Sequence, residues 1–128
     1  GPSSSWLTLL QSAGSRILAA TVQVWRPLDR LAAAVGIDMK DAFSLFDHFN
    51  PGQTLPQRAK RISSGQYSPP SFEMSMARKD LRLMVEEAAR GGQTLAMVPA
   101  LAALLDAGIA RGEGALDVAA AVRVPVPN

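Results

Sequence analysis

Lys79 is the residue whose neighbours in sequence point most directly to chemistry. At roughly 100° per residue, a helix over residues 72–90 brings Phe72, Met76, Lys79 and Leu83 onto one side. Nearly opposite lie Ala77, Leu81, Met84, Val85 and Ala88, an ordinary core face. A side bathed in solvent would not carry Phe, Met and Leu beside one lysine, so the first stripe predicts contact with a partner domain, a partner subunit or a ligand. A lysine framed by apolar groups can set one positive charge against an anionic or carbonyl oxygen at a partly dry site. It can equally lay its stem along apolar neighbours and lift the ammonium into water. Both readings stay open on the residues alone.

Other candidate chemistry is thinner. His48, the single histidine, follows Asp47, but no nucleophile and no third ligand accompany the pair, which reads as a surface or helix-end histidine. Glu86 and Glu87 read as solvated helix charges, with Glu86 placed to pair with Arg90 at i,i+4. Arg58, Lys60 and Arg61, with Tyr67 nearby, form a basic cluster able to touch phosphate, although exposed salt-bridging is the commoner fate. Cysteine is absent, which excludes disulfides and thiolate metal sites, and no ligand set suggests a metal. Gly112-x-Gly114 follows a helical stretch rather than a strand, so it is no dinucleotide fingerprint.

The elements that must hold these residues all read as helices. Ser3, Ser4 and Ser5 offer caps for a long helix from Trp6, with Leu7, Leu10, Gly14, Ile17, Thr21, Val24, Leu28, Leu31 and Val35 as its apolar stripe. Pro27 kinks it or opens a second helix, and Gly36 stops it. Asp38 caps a helix over residues 39–49, whose inward face is Ala42, Leu45, Phe46 and Phe49. Asn50-Pro51-Gly52 is a turn, residues 55–62 a basic helix closed by Ser64-Gly65, and residues 66–71 a loop around Pro69-Pro70. Gly91-Gly92 end the helix from Phe72; further helices cover residues 98–110, with Pro99 in the first turn, and residues from Ala115 to just before Pro125. No stretch alternates as a strand would. The expected fold is an all-α bundle of about five to seven helices with the long apolar helix at its centre.

Bulk properties set the frame. A length of 128 residues suits one domain, and 48% hydrophobic with 19% charged residues excludes a disordered chain. Residues 6–123 are read as that domain; residues 1–5 are read as a tag-cleavage scar (Gly1-Pro2) plus linker, and residues 124–128 as an extended, mobile tail. The net charge of +2 is too small and too dispersed to argue for nucleic acid. Residues 6–25 approach a membrane span in length, but Gln11, Ser12, Ser15, Arg16 and Gln23 interrupt them, which favours burial in a core or dimer interface. No membrane partner is expected, and the cytoplasm is the expected location.

Residues 72–83, reading FEMSMARKDLRL, resemble the Phe-then-Lys-Asp-Leu signature of the β-hydroxyacid dehydrogenases, a family that includes 3-hydroxyisobutyrate dehydrogenases. Upstream, residues 28–38 (LDRLAAAVGID) resemble that family's helix ending in a Gly-apolar-Asp step. Downstream, residues 112–122 (GEGALDVAAAV) resemble its Gly-x-Gly-x-x-Asp helix start. The order and approximate spacing agree across residues 28–122. The resemblance implies the α-helical C-terminal domain of a two-domain, 6-phosphogluconate dehydrogenase-like enzyme, whose N-terminal Rossmann domain binds NAD or NADP. It implies that Lys79 contacts the cofactor, that Phe72 and Asp80 line or support the substrate pocket, and that the protein is a homodimer.

The same resemblance exposes a departure. The family's proton-transferring lysine should fall near Leu10 or Gln11, and its substrate-holding asparagine near Gly14 or Ser15. The chain has no lysine before Lys40 and no asparagine before Asn50. Leucine and glutamine exchange no proton near neutral pH. No activity and no tight cofactor binding are therefore expected of this chain alone. The competing expectation is a non-catalytic helical dimerisation module, or a divergent, imine reductase-like member.

Overall fold

The computed structural model describes residues 25–123. Among them the chain is helical and holds no strand, only an isolated antiparallel bridge between Glu73 and Asp117. The α-helices are α1 (25–34), α2 (Met39–Phe43), α3 (Leu55–Ser64), α4 (Met74–Arg90) and α5 (Val98–Ala110). Short 3-10 helices follow α2 (Ser44–Asp47), precede α3 (Pro51–Thr54) and end the described chain (Val118–Val122). The long apolar helix expected from Trp6, and its central place, lie outside the described residues apart from the α1 stretch. That stretch is helical through Pro27.

Glycine sets the stops. Gly36, Gly92 and Gly112 all have positive φ, a conformation that costs a side chain nothing only when there is none. Each sits in the same pair of backbone bonds, such as Ile37 N–H to Ala32 carbonyl at 2.8 Å with Gly36 N–H to Ala33 carbonyl at 3.2 Å. These are Schellman ends, which satisfy the last helical carbonyls.

α4 and α5 form an antiparallel hairpin. Met74, at the start of α4, lies against Gly108 near the end of α5, and Arg78 pairs with Asp106 at 2.7 Å. Residues Tyr67, Met74, Ala77 and Leu105 form the main core together with Ala119, Ala120 and Ala121. The 3-10 helix Val118–Val122 meets α3, α4 and α5, so its buried positions are alanines. A smaller core of Ala88, Leu95 and Val98 receives Leu31 from α1, and Leu81 joins both cores. Burying side chains such as Met74 and Leu105 contributes roughly 1.5–3 kcal/mol each. Gly91 carries the closest approach of α1, since a Cβ there would collide with the Ala34 backbone.

Five sequence expectations change. The helix from Ala115 does not form: Asp117 takes the Ala119 N–H with its own carboxylate, and the five residues after it wind as a 3-10 turn. The helix expected over 39–49 shortens to Met39–Phe43 plus a 3-10 turn; Leu45 and Phe49 stand exposed, leaving Ala42 and Phe46 half-buried. Asp38 occupies the N-cap position without a side-chain capping bond. On α4, Val85 is exposed rather than core, while Glu86 pairs with Arg82 at 2.9 Å and Arg90 turns to Glu87.

Candidate functional site

α4 starts at Met74, so Phe72 stands just ahead of it in extended chain. The helix begins without a side-chain cap. Its first donors go instead to carbonyls distant in sequence: Met74 N–H to Leu116 at 2.9 Å and Ser75 N–H to Gly114 at 3.0 Å. A closed N-terminus of this kind offers little to an anion. The other direction is bonded too, with Val118 N–H donating to the Phe72 carbonyl at 2.8 Å and Asp117 N–H to the Tyr67 carbonyl at 2.9 Å.

Asp117 is the centre of this junction and is fully buried. One oxygen accepts from Ser71 N–H at 2.9 Å, Ser71 Oγ at 2.8 Å and Phe72 N–H at 3.3 Å. The other accepts from Ala119 N–H at 2.9 Å. Burial pushes the carboxyl pKa upward, but the donors from Ala119, Ser71 and Phe72 outweigh it and hold the group at about 2. Asp117 is therefore ionised at neutral pH without needing a contact ion pair; Arg61 Nη1 lies 3.8 Å away.

The motif read as Gly-x-Gly-x-x-Asp thus has three structural roles. Gly112 ends α5, Gly114 makes room for Ser75, where a Cβ would collide with the hydroxyl, and Asp117 holds the loop before α4. Sequence reading placed Asp117 in a motif but gave it no function, because its partners lie 46 residues away.

The outer stripe has the expected composition. Phe72, Met76, Lys79 and Leu83 are all exposed, at 36% for Phe72, 44% for Met76 and 45% for Leu83. The Lys79 ammonium has Asp80 Oδ1 at 3.9 Å, and both side chains are about half exposed. Phe72 is fixed through its own backbone by Asp117 and Val118, whereas Lys79 and Asp80 hang from the middle of α4.

A second polar feature lies beside Ser71. Thr54, Gln57, Arg58, Arg61 and Ser71 line a cleft of about 190 Å³. Arg61 is anchored by the Pro69 carbonyl at 3.0 Å and the Gln66 carbonyl at 3.4 Å. Arg58 is half-buried and forms no ion pair among the described residues. Tyr67, expected beside this basic cluster, is instead core: its hydroxyl donates to the Ile62 carbonyl at 3.3 Å and Arg123 lies over its ring at 5.2 Å. His48 is exposed at the end of its 3-10 turn.

The positions expected for a catalytic lysine and asparagine, near Gln11 and Ser15, lie outside the described residues. No group of three His, Asp or Glu suited to a metal occurs among the described residues, and none of the described helices is long and apolar enough to cross a membrane. No family model matches the chain, and no curated protein matches its sequence.

Proposed function

We propose that the chain is the helical, cofactor-contacting and dimer-building domain of an NAD(P)-dependent β-hydroxyacid dehydrogenase-like oxidoreductase, with a 6-phosphogluconate dehydrogenase C-terminal-like fold. One observation carries the reading. The Gly-x-Gly-x-x-Asp and Phe…Lys-Asp-Leu segments form one bonded unit through Asp117, and that unit leaves Phe72, just ahead of α4, and Met76, Lys79 and Leu83 on α4 exposed. In this reading Phe72 walls the pocket, Asp80 supports it, and Lys79 sets its charge against a cofactor oxygen. A lone cation on an apolar face fits one contact with a dinucleotide, not a whole binding site. The Rossmann domain of the parent protein supplies the rest, with the cytoplasm as its setting.

The test is a titration of the full-length parent polypeptide with NADH and NADPH, followed by cofactor fluorescence. Lys79→Ala should weaken binding by about ten-fold, the loss of one charged hydrogen bond. Unchanged binding in the variant, or no binding by the parent, sinks the proposal.

A second reading, a non-catalytic helical dimerisation module, is favoured by a different surface. Met97, just before α5, and Leu101 and Leu104 on it stand exposed about one turn apart, at 52%, 46% and 47%. Light scattering addresses the assembly common to both readings: a dimer is expected, and a clean monomer at high micromolar concentration counts against both.

A further inference from the structure

The cleft beside Ser71 carries more positive charge than the fold itself uses. Between Asn50 and Phe72 the sequence holds Arg58, Lys60 and Arg61 and no carboxylate. Arg58 lies on α3, which continues directly from the 3-10 helix Pro51–Thr54 and carries no acidic residue. Arg58 is also half-buried and lacks an ion pair among the described residues, so its desolvation is uncompensated. Arg61 leans on the same cleft, fixed at Nη1 by the Pro69 and Gln66 carbonyls. Asp117 Oδ2 lies 3.8 Å from Arg61 Nη1 and offsets part of its charge, whereas Arg58 has no such partner among the described residues. A half-buried cation such as Arg58 that has no ion pair among the described residues is the kind of local cost expected at a ligand site.

We infer that this cleft binds the phosphate group of a small phosphate ester. Its volume of about 190 Å³ is below the roughly 300–1,000 Å³ of sites that enclose a whole drug-sized ligand, which suits an anionic head with the remainder of the molecule outside. Arg58, Arg61 and the Gln57 amide supply donors from three side chains. A phosphate presents three acceptor oxygens and more than one negative charge at neutral pH, where a carboxylate presents two oxygens and one charge. The site is independent of the dehydrogenase reading, since every residue in it belongs to this chain and no dinucleotide takes part.

The experiment is a titration of the isotope-labelled chain by two-dimensional NMR at fixed ionic strength, with inorganic phosphate, glycerol phosphate and malonate as probes. Phosphate and glycerol phosphate should give saturable shifts confined to residues 54–61 and 71–72. Arg58→Gln should weaken that binding by about ten-fold and Arg58→Lys by less, because the charge survives but the planar fork does not. Lys60→Gln, outside the cleft, should leave it unchanged. An unaltered circular dichroism spectrum confirms that the Arg58 variants fold. Shifts that never saturate, that persist undiminished in Arg58→Gln, or that malonate matches at equal concentration overturn the inference. So does tighter binding of a single-stranded oligonucleotide with shifts spread over the whole surface, which would mark a general polyanion surface.

Discussion

The junction at Asp117 and the segment formed by α1 and α2 are built on opposite terms. Around Asp117, residues 67–75 and 114–122 are joined by backbone bonds in both directions, a buried carboxylate and three consecutive buried alanines. The α1–α2 region touches the hairpin through Leu31 and Ala34. Its aromatic group, Trp25 edge-on to Phe43 at 5.4 Å and to Phe46 at 4.7 Å, is shared among its own residues. Val35, Ile37, Met39, Leu45 and Phe49 are each about half exposed. The first region is specified by hydrogen bonds that only one geometry satisfies. The second depends on apolar area and has much of that area still to cover.

The strongest way to break the contrast is Asp117→Ala, which leaves the Ser71, Phe72 and Ala119 donors buried without an acceptor. Stability should fall by about 3 kcal/mol or more, read from the urea midpoint. A loss below about 1 kcal/mol would mean that the junction is held by packing alone.

Acid should reproduce part of that loss. The folded pKa of Asp117 lies below its ordinary 3.8, at about 2, so its contribution is complete above about pH 4 and vanishes as pH falls through about 2. Roughly 2 kcal/mol is at stake. The acid unfolding profile of Asp117→Asn should lack this component; identical profiles would remove Asp117 from the account.

The weaker region has its own probe. Gly91→Ala drives a methyl group into the Ala34 backbone and should cost roughly 1–2 kcal/mol. Hydrogen exchange should quicken over residues 25–36 and stay slow over residues 114–122. Equal loss in both would erase the distinction. The smallest effect belongs to the exposed Arg82–Glu86 pair on α4, where Glu86→Ala should cost only about 0.3–0.5 kcal/mol in thermal melts at low salt.

Local signals carried most of what the sequence disclosed. The bodies of α3, α4 and α5, the proline in the first turn of α5 and the glycine stops at Gly36 and Gly92 depend on near neighbours, and each appears where periodicity and capping chemistry put it. The same local logic failed after Ala115, where the run of alanine and valine favours a helix but Asp117 is committed to Ser71 and Phe72 across the chain. The two-sided character of α4 was also readable, as were Met76, Lys79 and Leu83 on its outer side, whereas Phe72, expected on the same helix, lies in the chain ahead of it. What could not be read was how Ser71 comes to lie beside Arg58 and Arg61. Their meeting follows from Asp117 pinning the loop, an event with no trace in helical spacing.

The bonds from Met74 to Leu116 and from Ser75 to Gly114 bring the two ends of the α4–α5 excursion side by side. A stretch of chain that departs and returns through neighbouring points is modular: it can be lengthened at its far tip, around Gly92 to Ala96, without disturbing its base. It could also be cut at that tip and rejoined elsewhere as a permuted chain. The base would keep Phe72 oriented through either rearrangement.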